Sequence, residues 1–261
     1  MFDLTKENIR TGASYILVSL IIPIKNEREN IRILLPLIVD EIEKIREVDE
    51  KAFRFEILII DDYSSDKPNE IIANKTYMNK KNHTKNQYFK VILTRINAYY
   101  KKSVGRAIRK GLESSTGDYI ITLDGDMAHD PENISRCINL IRNGKNLIIG
   151  ARFLPKQHIF KPISRYIISK ILNTVIRFFY RAEVHDYTTG FRCFNRKLLN
   201  NIDLKENGFA IHLELNKKLI EKTKKSERIE IPIEYKKRMY GKSKMVYTKV
   251  WFDYFKLIFD S

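Results

Sequence analysis

A chain of 261 residues with 43% hydrophobic content is long enough for one large domain or two small ones around an ample core. Its 48 Lys and Arg against 32 Asp and Glu leave a formal charge of +16, which points to an anionic partner: nucleic acid, an anionic membrane surface or a phosphorylated substrate. Two cysteines, Cys137 and Cys193, exclude a disulfide framework and match no metal-ligand spacing, and the longest apolar run, Tyr15 to Ile24, is shorter than the ~20 residues that cross a bilayer.

The opening MFDLTKENIR is partly acidic and has no apolar core, so no signal peptide is expected. YILVSLIIPI, Tyr15 to Ile24, reads as the first buried strand. Lys25-Asn26-Glu27 follows, then a helix in which Ile31, Leu34, Leu35, Ile38, Ile42 and Ile45 recur at spacings of three and four. Pro36 falls inside that pattern and predicts a kink or break. FEILII, Phe55 to Ile60, is the second strand and ends in Asp61-Asp62-Tyr63-Ser64. A short helix near Asn69 to Asn74, an exposed basic loop from Thr76 to Gln87, a third strand at Lys90 to Thr94 and a helix at Val104 to Ser114 come next.

YIITLDGDMAHDP, Tyr119 to Pro131, is the densest stretch of chemistry. Tyr119 to Leu123 reads as a buried strand. Asp124-Gly125-Asp126 then sets two carboxylates on a tight turn at its carboxyl end, where both can present oxygens to one divalent cation. Gly125 is expected to leave room for a substrate to approach the backbone. An isolated Asp-x-Asp equally fits a solvated acidic turn. Asp130 and Pro131 are the expected N-cap and first position of a helix carrying Ile134, Cys137, Ile138 and Ile141 and stopping at Gly144. Leu147 to Gly150 is a further strand. Strands alternating with helices predict an α/β fold with a mostly parallel sheet, and in such sheets ligands sit beyond the carboxyl ends of the strands. Glu27, Asp62 and the pair Asp124 and Asp126 all fall there, from three different strands.

In the second half, Ser164 to Arg181 is amphipathic. It reads either as a core helix or as a helix at a membrane that guides a lipid, since Arg165, Lys170, Arg177 and Arg181 border its apolar face. Ile229 to Tyr235 is a short strand whose Pro232 suits an edge. In the last helix Tyr247, Trp251, Tyr254, Phe255 and Ile258 share a face, with Lys249, Asp253, Lys256 and Asp260 opposite. His129, His185 and His212 are expected to be structural, and Asp186, Arg192 and Glu214 to form an internal polar network.

With these residues placed, the chain resembles the family 2 glycosyltransferases of GT-A (nucleotide-diphospho-sugar transferase) fold, and among them the dolichyl- and polyprenyl-phosphate mannose synthases. Six blocks between about Val18 and Lys244 carry the resemblance: Ile22-Pro23 with Asn26-Glu27, ILIIDDYSSD at Ile57 to Asp66, STGDYIITLDGDMAHDP at Ser115 to Pro131, GARF at Gly150 to Phe153, DYTTGFRCF at Asp186 to Phe194, and RMYGKSK at Arg238 to Lys244. The resemblance implies a mostly parallel sheet flanked by helices. With a lipid acceptor, the aromatic face of the last helix divides the chain into a catalytic domain over 1–244 and a C-terminal amphipathic membrane-interface helix over 245–261; the alternatives are that this helix packs back on the domain or docks onto a membrane-anchored partner.

The implied reaction is inverting transfer of a sugar, mannose from GDP-mannose foremost, onto dolichyl or polyprenyl phosphate to supply glycosylation. The alternatives are a UDP-glucose-dependent dolichyl-phosphate glucose synthase, or a non-catalytic partner subunit of the same fold. Pro23, Lys25, Glu27, Ile60, Asp62 and Gly125 would line the donor pocket, and Asp124 and Asp126 would hold Mg²⁺ or Mn²⁺. Arg152, Arg165 and Ser169 would grip the acceptor phosphate, and Arg238 and Lys244 would cover the donor diphosphate. Asp124, Asp126, Arg152 and Arg238 form the implied catalytic set.

Three positions depart from the family pattern. Lys25 stands where Tyr or Phe is usual, and Ala128 where Gln or Ser is. KKSVGRAIRKG, Lys101 to Gly111, lacks a Gly-rich beginning, and its GRAIRKG also resembles the glucose synthases. The implied location is the cytoplasmic face of a membrane, endoplasmic reticulum or cell membrane, held peripherally and with room for a small membrane-anchored subunit. No nucleic acid is expected, because the basic residues are dispersed and the aromatics sit in apolar patterns.

Overall fold

The first strand is so apolar because it is covered on both sides. In the computed structural model, which describes residues 15–48, 52–74, 89–96, 103–154, 163–181, 184–234, 238–241 and 247–259, β1 (Ile16–Ile24) lies between two parallel neighbours. These are β2 (Phe53–Asp61), paired from Ile16 opposite Phe53 to Ile24 opposite Asp61, and β4 (Tyr119–Thr122). β3 (Phe89–Arg95) extends the sheet beyond β2. On the other side β6 (Arg192–Asn195) runs antiparallel to both β4 and β5 (Leu147–Ala151), and β7 (Arg228–Pro232) closes the edge parallel to β5. The order is β3-β2-β1-β4-β6-β5-β7, with β6 alone reversed. Pro232 sits on an edge strand, as its missing N–H requires.

Alternation along β1 divides the core. Val18, Leu20, Ile22 and Ile24 face one apolar cluster, completed by α1 (Arg28–Val48) and α4 (Asn133–Arg142); Ile21 faces the other. That second cluster takes residues from α3 (Val104–Ser114), α5 (Ile163–Tyr180), α6 (Ile211–Glu221) and α7 (Tyr247–Phe259). α3 lies close to the sheet: a Cβ on Gly111 would come within 2.4 Å of Ile21 Cγ2. A five-residue helix, α2 (Asn69–Ala73), follows β2. For the helices, nothing is described of the side chains at 164, 165 and 247–249, and the expected loop from Thr76 to Gln87 lies outside the described residues.

Three expectations are corrected. Of the kink or break expected at Pro36, the break is absent: α1 continues through it. The carbonyl that Pro36 leaves without a partner belongs to Arg32, on the exposed side of the helix, where water can satisfy it, while the face from Asn30 to Ile45 is held by burial. α4 starts at Asn133 rather than Pro131. A turn precedes it in which the Asp130 carboxylate accepts the Glu132 N–H at 3.1 Å, the same satisfaction of a free donor one step earlier. In α7, Val250, Tyr254 and Ile258 turn into the second cluster, and the Tyr254 hydroxyl donates to the Phe209 carbonyl at 3.2 Å. The face left outward is Phe252, Phe255 and Phe259.

Pro36→Ala should raise stability. Proline inside a helix costs ~3 kcal/mol, and its stiffening of the unfolded chain returns ~1 kcal/mol, so a net gain of about 2 kcal/mol is expected in denaturant unfolding. A loss of stability would show that α1 is shaped around the proline.

Candidate active site

The turns after β1, β2 and β4 each place a non-glycine residue at positive φ: Asn26 at 50°, Tyr63 at 59° and Met127 at 66°. Backbone held in this region costs free energy and concentrates at functional sites. Cross-links hold the turns. The Asn26 N–H donates to Ser64 Oγ at 2.8 Å, the Ser65 N–H donates to Asn26 Oδ1 at 2.8 Å, and the Asp62 N–H donates to the Ile24 carbonyl at 2.9 Å.

On this frame stand four carboxylates. Glu27, buried ahead of α1, accepts from Asn30 Nδ2 at 2.5 Å and from Arg238 Nη1 at 2.8 Å. Asp62 accepts from Arg106 Nη2 at 2.8 Å, a cation supplied by α3. Asp126 accepts from the Ala128 N–H at Oδ1, 3.1 Å, and from Arg238 Nη2 at Oδ2, 2.8 Å. Asp124 has its own N–H bonded to His129 Nδ1 at 3.1 Å, which leaves the His129 proton on Nε2, 3.9 Å from Asp124 Oδ2. His129 is buried, its ring set edge-on to Phe191. The Asp124 side chain is 32% exposed, open enough to meet a ligand. Burial raises its pKa; His129 opposes this and Asp126 adds to it. Arg238 is held above its ordinary value: burial lowers it, and the carboxylates of Asp126 and Glu27 more than reverse that.

A second cluster adjoins α5. Arg152 clasps the fully buried Asp186, Nε to Oδ2 at 2.7 Å and Nη2 to Oδ1 at 2.8 Å, and also donates to Thr188 Oγ1 at 2.8 Å. Asn173 joins this to α5: its Nδ2 donates to Thr188 Oγ1 at 3.0 Å and to the Ser169 carbonyl at 2.9 Å, and its Oδ1 accepts the Tyr187 N–H at 2.7 Å. Arg152 and the Ser169 backbone are thereby linked through Thr188 and Asn173. Arg165 lies one turn before Ser169 on α5, its side chain outside the described residues.

Other expected site residues fall as follows. Pro23 and Lys25 are half-buried at the carboxyl end of β1. The Ile60 side chain is fully buried in the second core cluster, so only its backbone can face a pocket. Lys244 lies outside the described residues. Gly125 is needed for a different reason from the one expected: a Cβ there would stand 2.6 Å from Ile24 Cγ2, so the space is filled by β1. Asp186, Arg192 and Glu214 do not form one network. Arg192 is fully buried and donates to the Thr189 carbonyl and to His212 Nδ1; burial lowers its pKa to about 10 and, with the Arg192 charge, pushes His212 well down. Glu214 accepts the N–H groups of Lys205 and Glu206 instead. His185 Nδ1 pairs with Glu230 at 2.7 Å.

Sequence reasoning missed Arg106, Asn30, Asn173 and Gly190. The first three act through partners distant in sequence, although Asn30, three residues after Glu27, shares its helix face. A Cβ on Gly190 would stand 2.8 Å from Asp124 Oδ1, so this glycine makes room for the carboxylate. Among the described residues no three acidic, His or Cys side chains cluster as a complete metal site. Asp124 and Asp126 nevertheless fit a hard cation whose other ligands come from a diphosphate and water, and a guanidinium already sits on Asp126.

The sequence profile described as Glycosyl transferase family 2 matches residues 19–203. The dolichol-phosphate mannosyltransferase of Pyrococcus furiosus is 28% identical over 245 residues, which cover 93% of this chain and 62% of that protein. The polyprenol monophosphomannose synthase of Mycolicibacterium smegmatis is 30% identical over 230 residues, 86% of this chain and 79% of the relative. An undecaprenyl-phosphate 4-deoxy-4-formamido-L-arabinose transferase of Photorhabdus laumondii is 28% identical over 234 residues, 89% of this chain and 64% of the relative. The chain thus spans less than two thirds of the Pyrococcus and Photorhabdus proteins. Among solved structures, glucosyl-3-phosphoglycerate synthase of Mycobacterium tuberculosis with Mn²⁺, UDP and product shares the fold, with a TM-score of 0.61 at 14% identity, over 93% of this chain and 77% of that one.

Gly190→Ala should force the Asp124 carboxylate aside. Joint binding of Mn²⁺ and a nucleoside diphosphate, read by calorimetry, should weaken about tenfold, equivalent to ~1.4 kcal/mol, with the melting temperature little changed. Unchanged binding would remove Asp124 from the ligand site.

Proposed function

The chain belongs to glycosyl transferase family 2, and from that premise we propose that it moves a sugar from a nucleoside diphosphate onto a polyprenyl phosphate, dolichyl phosphate included, with GDP-mannose as the favoured donor. The observation that carries this reading is the gathering of Glu27, Asp62, Asp124, Asp126 and Arg238 beyond three adjacent parallel strands. The lipid-phosphate acceptors named for the Pyrococcus, Mycolicibacterium and Photorhabdus relatives support it.

The chemistry asks for little beyond placement. An acceptor phosphate is already ionised at neutral pH, so its oxygen attacks the anomeric carbon without a general base. The new C–O bond forms as the bond to the diphosphate breaks, and the configuration inverts. Rate then comes from alignment and from charge stabilisation. Asp62 and Glu27, with Pro23, Lys25, Gly125 and the backbone at Ile60, form the donor side. Asp124 and Asp126 would hold Mg²⁺ or Mn²⁺. When bound, the ion supplies positive charge to the departing diphosphate. Arg238 and Lys244 would reach the diphosphate from its other side. On the acceptor side, Arg165 and Ser169 would meet the lipid phosphate. Arg152, clasped to Asp186 and bonded to Thr188, would stand with them on the acceptor side.

No helix among the described residues is long and apolar enough to cross a membrane. α5 and α7 instead join in an exposed apolar surface: Ile167, Ile171, Phe178 and Phe179 from one, Phe252 and Phe259 from the other, with the Phe179 and Phe259 rings 5.1 Å apart. Lys170, Arg177 and Lys256 are exposed on the same helices. Aromatic and aliphatic side chains amid cations suit a leaflet rich in anionic lipid, where each Lys or Arg adds ~1 kcal/mol of attraction. We assign this face to the cytoplasmic surface of the acceptor's membrane.

Two measurements test the reading. Given a polyprenyl phosphate and Mg²⁺ or Mn²⁺, the protein should yield a lipid-linked sugar from GDP-mannose in preference to UDP-glucose or UDP-GlcNAc, and excess chelator should abolish the product. Preference for UDP-glucose would reassign the donor, and full activity in chelator would remove the cation. Separately, a Phe252→Ser, Phe259→Ser double variant should sediment with anionic vesicles at least about tenfold less well, as the loss of two aromatic anchors implies, while still using a short soluble acceptor. Undiminished sedimentation would shift the interface elsewhere, a small membrane-anchored subunit included.

A further inference from the structure

Residues 238–241 form a strap against the first turn of α1, and one side chain fastens it. Asn30 is 1% exposed. Its Oδ1 accepts the Tyr240 N–H at 3.2 Å and its Nδ2 donates to the Tyr240 carbonyl at 3.2 Å, a reciprocal pair that clips the strap's backbone to the helix. The same Nδ2 donates to Glu27 Oε2 at 2.5 Å, so clip and carboxylate are set together. Gly241, at φ +77°, follows the clipped residue in a conformation that suits glycine.

The clip has an electrostatic result. Two residues before Tyr240, the Arg238 guanidinium bridges Glu27 Oε1 and Asp126 Oδ2, each at 2.8 Å. Asp126 Oδ1 is engaged by the Ala128 N–H. A divalent cation approaching Asp126 therefore meets a carboxylate whose outer oxygen already carries a positive group. Two cations cannot share that oxygen without strong mutual repulsion. A nucleoside diphosphate changes the balance, because its phosphate oxygens offer the planar guanidinium fork a bidentate anionic partner of its own.

We propose that Asn30 is a positioning residue that latches Arg238 into the cation's place on Asp126 in the donor-free protein, so that cation and donor enter as one coupled event. The cation takes Asp126 as Arg238 turns to the diphosphate. This rests on the reading of Asp126 as a cation ligand. It gives Arg238 a task before catalysis as well as during it, and it assigns Asn30 a role in ligand order that plain structural support would not have.

The test is Mn²⁺ affinity, read by calorimetry on the full chain, first with Mn²⁺ alone and then with GDP or UDP present. The parent should bind Mn²⁺ weakly alone and at least about tenfold more tightly with the nucleotide. Arg238→Gln should bind Mn²⁺ alone about tenfold more tightly than the parent and show much less coupling to nucleotide. Asn30→Ala, which keeps the arginine but frees the strap, should shift in the same direction, and Arg238→Lys should stay near the parent. Arg238 lies at the surface of the site, so its variants keep the test open should Asn30→Ala fail to fold. Unchanged Mn²⁺ affinity in Arg238→Gln, with normal joint binding in the parent, overturns the latch and leaves Asp126 as a ligand. A shift in Arg238→Gln without one in a folded Asn30→Ala overturns the role of Asn30. Failure of the parent to bind Mn²⁺ even with nucleotide overturns both the latch and the cation site.

Discussion

Like charges brought together at the ends of neighbouring strands repel, and much of the site's architecture answers that repulsion. Glu27, Asp62, Asp124 and Asp126 project from turns after β1, β2 and β4, which are hydrogen-bonded side by side. Each is met by a different device. Arg238 spans two of them, Arg106 takes the third, and Asp124 is left with backbone positioning from His129 and space from Gly190. Asp124 thus has, among the described residues, no cation bonded to its carboxylate, and burial, with Asp126 beside it, raises its pKa against the pull of His129 and the arginines. A concentration of negative charge that is held but not quenched is what a divalent cation would seek, and such a cation would in turn offset the charge of a phosphate-bearing ligand.

The sheet makes this possible by keeping β1 dry. With helices on both faces, its nine residues can be almost wholly apolar, so the change to Lys25-Asn26-Glu27 is abrupt and the polar groups begin at the strand's end. The strained residues Asn26, Tyr63 and Met127 mark the same boundary in three places. They are tolerated because the turns around them are cross-bonded.

That abruptness is also why so much was legible. Long apolar runs ending in carboxylates announce parallel strands, and β1, β2 and β4 with their acidic ends could be read directly from the residue order. α1 and the body of α4 followed from their periodicity. What periodicity could not show is instructive. β6 is four residues long and begins with an arginine, and the buried Arg192 finds acceptors for its Nη2 in the Thr189 carbonyl and His212. α6 buries His212, Glu214 and Asn216 together with its apolar residues, so polarity there does not mark the outward face. Pro36 looked like a breaker because local propensity was weighed without the core that overrides it. The site's charge partners were hidden for a topological reason: Arg106 is 44 residues from Asp62, and Tyr240 is 210 from Asn30.

The clasp between Arg152 and Asp186 has an evolutionary consequence. It joins positions 34 residues apart, and between them the chain leaves the sheet, runs through α5 and returns to β6. Closing such an excursion with a buried ion pair separates its length from the integrity of the sheet. Doubling a closed loop adds only about 0.6 kcal/mol of entropy cost, so insertions and exchanges between the two clasped residues are thermodynamically cheap. The strands that bear the four carboxylates β1, β2 and β4 support lie outside it. Descendants of one ancestral scaffold could therefore vary the exposed side of this excursion while inheriting the carboxylate frame, with Leu172, Asn173 and Ile176 as the positions that tie it to the core, and a chimera grafted at Arg152 and Asp186 would join the two parts where the fold already does.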